Sequence, residues 1–156
     1  MTAPELPRLG ALVRAHHPGL TDTNHTVTSP KDPGYNCISH GIGDTSTRWQ
    51  PGGFAGTAWP AEIDQSDALM AWQQFYQLHG FEPCDSRAFE PGFVKVAIYA
   101  LEGEGTHVAR LLHNGHWTSK LGEIQDVEHD LESLEDARYG SVALVMRRST
   151  EGWTAA

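Results

Sequence analysis

The chain has 156 residues, with 20 Asp and Glu against 11 Lys and Arg for a formal net charge of −9. That length suits one compact domain, residues 1–156, and the acidic balance with scattered cations excludes a surface that tracks nucleic-acid phosphates. No apolar run is long enough to span a membrane, the first residues read as neither leader nor anchor, and 2 cysteines are too few for a disulfide scaffold, so the expectation is a cytoplasmic protein with reduced thiols.

Leu6, Leu9, Leu12 and Val13 recur at three- and four-residue steps before Pro18-Gly19, which predicts a short helix within residues 4–16. Residues 21–35 are polar and aperiodic and read as a loop. Asn36 is a good N-cap for a short helix that runs through Cys37, Ile38 and His40. Residues 49–60 follow a Gly-rich, irregular path anchored by Trp49, Phe54 and Trp59. Ser66 is expected to cap the main helix, whose stripe of Leu69, Met70, Trp72, Phe75, Tyr76 and Leu78 stops at Gly80.

From residue 93 the composition turns to Val, Ile, Phe and Tyr, and strands are expected over 93–101, 106–112 and 117–121. Asn114-Gly115 predicts a two-residue type I′ turn between the last two. Residues 123–138 are acidic and read as partly helical, and 141–147 as a final strand. Helices first and an antiparallel sheet second make an α+β fold.

Cys37 is the leading chemical candidate, because a helix N-terminus favours the thiolate. A thiol nucleophile needs an imidazole to take and return its proton, and His107, opening a strand, is the preferred one of 9 histidines. Cys84, after Pro83, reads as a buried or incidental thiol. His107, His113, His116 and His129-Asp130 could offer imidazoles and a carboxylate to a transition metal, but their spacing is not diagnostic, and His113 and His116 fall at an exposed turn. His129 is kept as an alternative base or orienter because Glu128 and Asp130 flank it, and His40 shares a helix face with Cys37. Trp49, Trp59, Trp72 and Trp117 read as core or cleft-wall residues, and no nucleotide-binding loop is present.

The segments GYNCISHGIG (34–43), EPGFVKVAIYA (90–100) and THVARLLHNGHWTSK (106–120) resemble the papain-like cysteine peptidases of the NlpC type. The resemblance implies a papain-like core in which Cys37 is the nucleophile, His107 the general base and Ser119 the group that orients the imidazole. Tyr35 and Asn36 match the two residues before the nucleophile. The third position is a serine where that family carries His, Asn, Gln or Asp, and Asn36 stands where Asp is common. A long Cys37-to-His107 separation implies an insertion at 45–63. The tract from Tyr35 to Tyr139, with NCI, WTSKLG and VEHD as landmarks, also resembles small bacterial proteins of unknown function with this Cys-His layout.

Two functions are expected from these readings. One is a thiol hydrolase or acyltransferase that acts on an amide or thioester of a peptide, protein or small molecule through an acyl-Cys37 intermediate, without a cofactor. The other is a papain-like module that binds without catalysis, with a metal-dependent enzyme built on the histidines ranked behind both.

Overall fold

The computed structural model describes residues 6–122 and 124–153. Its centre is a seven-stranded antiparallel sheet in the order β1-β6-β5-β4-β3-β7-β2. The strands are β1 (Thr26–Val27), β2 (Glu82–Pro83), β3 (Phe93–Leu101), β4 (Glu104–Leu111), β5 (Trp117–Lys120), β6 (Asp126–His129) and β7 (Ser141–Ser149). The helices are α1 (Ala11–His16), α2 (Cys37–Gly41) and α3 (Leu69–Leu78), joined by a 3-10 turn at Leu131–Leu134. The molecule is therefore α+β, with both edges of its sheet only two residues long.

Strand alternation divides the core. Val94, Val96, Ile98, Val108 and Met146 point to one face, where they pack with Ile38 of α2 and Ala71, Trp72, Phe75 and Tyr76 of α3. Ala97, Tyr99, Ala109, Trp117, Val127 and Val145 point to the other, under Leu9, Leu20 and the 3-10 residues Leu131 and Leu134. With layers on both faces, β3 loses the polar alternation of a one-sided strand and reads as a nearly continuous apolar run.

Two bulges meet at the level of Tyr99. The β3–β4 pairing shifts between Tyr99 and Ala100, leaving Thr106 as the extra residue, and the β3–β7 pairing shifts between Ile98 and Tyr99. The tip beyond them turns through Glu102 and Gly103, both at positive φ, and is pinned to the start of α3 by Leu69 N–H to Gly103 O and Gly105 N–H to Asp67 O.

Several elements differ from the sequence expectation. Residues 123–138 hold β6 and a 3-10 turn, because Val127 and His129 are drawn under the second layer instead of forming a solvated helix face. The hairpin between β4 and β5 is a three-residue loop: Leu112 N–H donates to His116 O, and of Asn114 and Gly115 only Gly115 has positive φ, so a type I′ turn is not formed. Helix α3 starts after Ala68, while Ser66 Oγ accepts from Ala68 N–H two residues too early to be the cap.

Candidate functional site

The local signal at Asn36 is realised. Its Oδ1 accepts from Ser39 N–H at 3.1 Å and from Ser39 Oγ at 2.8 Å, and its Nδ2 donates to Trp49 O at 2.9 Å. These bonds start α2 at Cys37 and dock it on the loop at Trp49. Cys37 keeps part of its surface exposed, but its thiol is enclosed, and burial pushes it up to about 11, outweighing the backbone N–H groups, Val108 foremost, that favour the thiolate. Five residues of helix give too few aligned peptides to reverse that burial.

The residues expected to assist Cys37 stand across the sheet from it. Val108 faces α2, so its neighbour His107 faces the other layer, opposite Tyr99 in the β3–β4 register. Its imidazole stacks on Tyr139, with centroids 4.1 Å apart and planes at 7°, and meets Tyr99 edge-on at 5.4 Å. It is fully buried, and neither ring nitrogen has a hydrogen-bond partner among the described residues. Burial, aided by the other histidines nearby, His129 first, holds its pKa well below the usual imidazole value. The ring is a neutral core group, and no hydrogen bond joins it to Cys37.

Ser119 also faces this second layer but does not orient His107. Its Oγ lies 2.6 Å from His129 Nε2. His129 Nδ1 is 2.7 Å from Asp130 O; a carbonyl only accepts, so Nδ1 carries the proton and Nε2 accepts from the serine hydroxyl. Burial lowers the His129 pKa to about 4 despite the Asp130 carbonyl and carboxylate. The flanking acids favour the protonated ring, as expected from the sequence, but enclosure of the ring outweighs them. Both side chains are buried, so this chain of bonds is held inside the protein.

On the α2 side lies a polar cluster that the sequence reading passed over. Tyr35 Oη donates to Asp126 Oδ2 at 2.8 Å, Lys120 Nζ sits 4.1 Å from the Tyr35 ring centroid and 3.9 Å from Asp126 Oδ1, and Lys120 also donates to Ile124 O. His40 Nε2 is 3.0 Å from Thr118 Oγ1, and Arg110 donates to the His40 carbonyl at 3.1 Å. Burial, then Arg110 and Lys120, drop the His40 pKa to about 3. Alternation of Thr118, Lys120 and Asp126 against Ser119 and Val127 was the available signal, hidden because both faces of β5 and β6 are covered.

The remaining candidates are dispersed. Cys84 Sγ contacts Ser86 O at 3.7 Å, and burial raises its pKa. His113 packs on Phe89, and His116 Nδ1 lies 3.1 Å from Glu128 Oε2. No group of three or more His, Cys, Asp or Glu side chains among the described residues is arranged to hold a metal ion. Trp49 and Trp59 pack on Phe75, and Trp72 and Trp117 are buried. Cavities of about 390, 310, 340 and 300 Å³ occur at the α1 side, at the end of α3, beside Tyr139 and beside Leu131. None of these four includes Cys37, His107, Ser119 or His129 in its lining.

Residues 26–147 match the family model described as domain of unknown function DUF7689. The chain belongs to the DUF7689 family. That match takes in α2, α3, every candidate residue above and most of β7, and leaves α1 outside. No curated protein matches the chain, and no solved structure does. Among the described residues no helix is long and apolar enough to cross a membrane.

Proposed function

We propose that this DUF7689 chain is a binding module that does not catalyse through Cys37. The stacking of α2 on an antiparallel sheet is compatible with a papain-like core that has lost its Cys-His chemistry. The observation that carries the reading is the separation of the pair: an un-ionised Cys37 thiol on one face of β4 and an unpartnered, neutral His107 on the other. Acyl transfer needs a thiolate and an imidazole within hydrogen-bond reach of it, and β4 stands between the two here. Ser119 and His129 meet the distance requirement but are enclosed, with none of the four cavities leading to them. The absence of any Lys/Arg cluster longer than Arg147-Arg148 directs the search to small molecules, peptides or proteins and away from nucleic acid.

The test is the rate of iodoacetamide alkylation at Cys37 against pH, read by peptide mass spectrometry, in the wild type and in His107→Ala. Slow labelling that rises only above about pH 9, with the same profile in both proteins, is the expected result. Rapid labelling near neutral pH that the substitution slows would restore the thiol hydrolase.

A further inference from the structure

The cavity of about 310 Å³ at the end of α3 is bordered by Ile42, Asp44, His79, Arg148 and Trp153. Its charged groups are held in place by bonds that do not involve each other. Gly80, at φ 88, ends α3 and leaves His79 as its C-cap. Arg148, near the end of β7, reaches back so that NH1 donates to His79 O at 2.9 Å, NH2 to Glu151 O at 3.1 Å and Nε to Ser149 O at 3.0 Å. A guanidinium carries five N–H donors in one plane, so part of the fork is left for another acceptor. The guanidinium carbon also lies 5.4 Å from the Trp153 ring centroid.

Asp44 is fixed as firmly. Its Oδ1 accepts from Ser46 N–H at 2.8 Å, Ser46 Oγ at 2.9 Å and Thr47 N–H at 3.2 Å, while among the described residues Oδ2 accepts only from Trp49 Nε1 at 2.9 Å. Partial burial works against ionisation, but these donors prevail and hold the carboxyl below its usual range. Oδ2 therefore keeps an open lone pair on a carboxylate. His79, against Phe75 at 4.7 Å, is kept neutral by burial and then by Arg148, and brings a polar ring without a third charge. Among the described residues no ion pair joins Asp44 to Arg148, although both border the same cavity.

Two rigid, opposite and mutually unpaired charges in one small cavity suit a ligand that carries both complements close together. We propose that this cavity binds a free α-amino acid, with its carboxylate on the open side of Arg148, its ammonium on Asp44 Oδ2 and its side chain against Trp153 and Ile42. The proposal rests on the binding-module reading and names its ligand class. Pinning of both charges before the ligand arrives removes an ordering cost that flexible side chains would carry.

The test is an NMR titration of the ¹⁵N-labelled full chain, following the Trp153 indole N–H and the His79 amide, with L-leucine, 3-methylbutylamine and 4-methylpentanoate as probes. Saturable shifts with L-leucine, and binding at least about tenfold weaker for the amine and the acid, are expected. Asp44→Asn retains an acceptor oxygen for the loop but loses the one for Trp49 Nε1, and should weaken L-leucine by about tenfold with spectral changes confined to the surroundings of Trp49; Arg148→Gln should abolish binding. Equal binding of the acid and L-leucine, with no effect of Asp44→Asn, would mean an anion site and overturn the assignment. So would the lack of a shift with any proteinogenic amino acid at about 10 mM. Failure of these titrations beside an inert Cys37 removes the ligand class only, whereas a reactive Cys37 removes the binding-module reading whatever the titrations give.

Discussion

The ring of Tyr139 lies flat on His107, 4.1 Å away at 7°, and closes the second layer of the core over an imidazole that has no hydrogen bond. A buried donor or acceptor without a partner costs about 1–3 kcal/mol, and the stacking returns only part of that. His107→Phe keeps a flat ring under Tyr139 and removes both orphan nitrogens, so it should raise unfolding free energy by about 1 kcal/mol in urea titrations. His107→Ala should lower it by about 3 kcal/mol, the cost of a cavity. A Phe variant clearly less stable than the wild type would show that the imidazole has an unseen partner.

Acid should destabilise the protein early. His107, His129 and His40 all have folded pKa values below the ordinary imidazole value, His129 at about 4 and His40 at about 3. The unfolded chain takes up these protons below about pH 6.5 while the folded one does not, so stability is complete above that pH and falls as pH drops toward the folded values. Three such groups give a limiting slope of about 4 kcal/mol per pH unit. Asp126, whose pKa burial raises, acts with the opposite sign over the carboxylate range. Urea midpoints from pH 7 to 4.5 should drop steeply, and the His107→Phe protein should drop less. A flat profile would contradict the neutral burial of these rings.

Asn36→Ala should loosen the whole α2 corner. It removes the acceptor for Ser39 and the donor to Trp49 O. A loss of about 2 kcal/mol is expected in chemical denaturation, with Cys37 alkylating faster because α2 frays. Retention of wild-type stability would mean that packing alone sets the start of α2.

Gly41→Ala tests how closely α2 lies on its neighbours. A Cβ at this position would stand 2.2 Å from Tyr76 Oη and 2.9 Å from Val108 Cγ1. Tyr76 cannot retreat without breaking its 2.8 Å bond to Ile38 O. Overpacking of this kind costs about 1–3 kcal/mol, and the lost tyrosine bond about 1 more. A shift in thermal midpoint of several degrees is the expected reading, and an unshifted midpoint would place α2 further from Tyr76.

Local chemistry was legible in the sequence and long-range parity was not. Asn36 announced α2, Gly80 closed α3, and the apolar run from 93 to 101 matched β3. By contrast, β1 and β2 are too short for any period to show, and β6 hides in an acidic stretch because its alternate residues meet two different buried layers. The expected Cys37–His107 contact turned on which face of β4 His107 takes. That is set by the register against Tyr99 beyond the Thr106 bulge, and a displacement of one residue reverses every side chain. Ser119 shares a sheet face with His107, yet its hydrogen bond goes to His129 on β6, a strand not expected from the sequence.

The flanks of the sheet carry one more consequence. β1 and β2 each cover their neighbour with two residues, and β2 ends on Pro83, which has no N–H to offer. A second polypeptide approaching either margin finds almost no ladder to copy, the arrangement by which natural sheets resist edge-to-edge polymerisation. The long strands β3 and β4, which would be prone to aggregate if bared, are interior, whereas β2 covers only Met146 and Arg147 of the nine-residue β7. Colloidal behaviour at high concentration therefore depends on residues 26–27 and 82–83 and on the outer side of β7 that β2 does not pair.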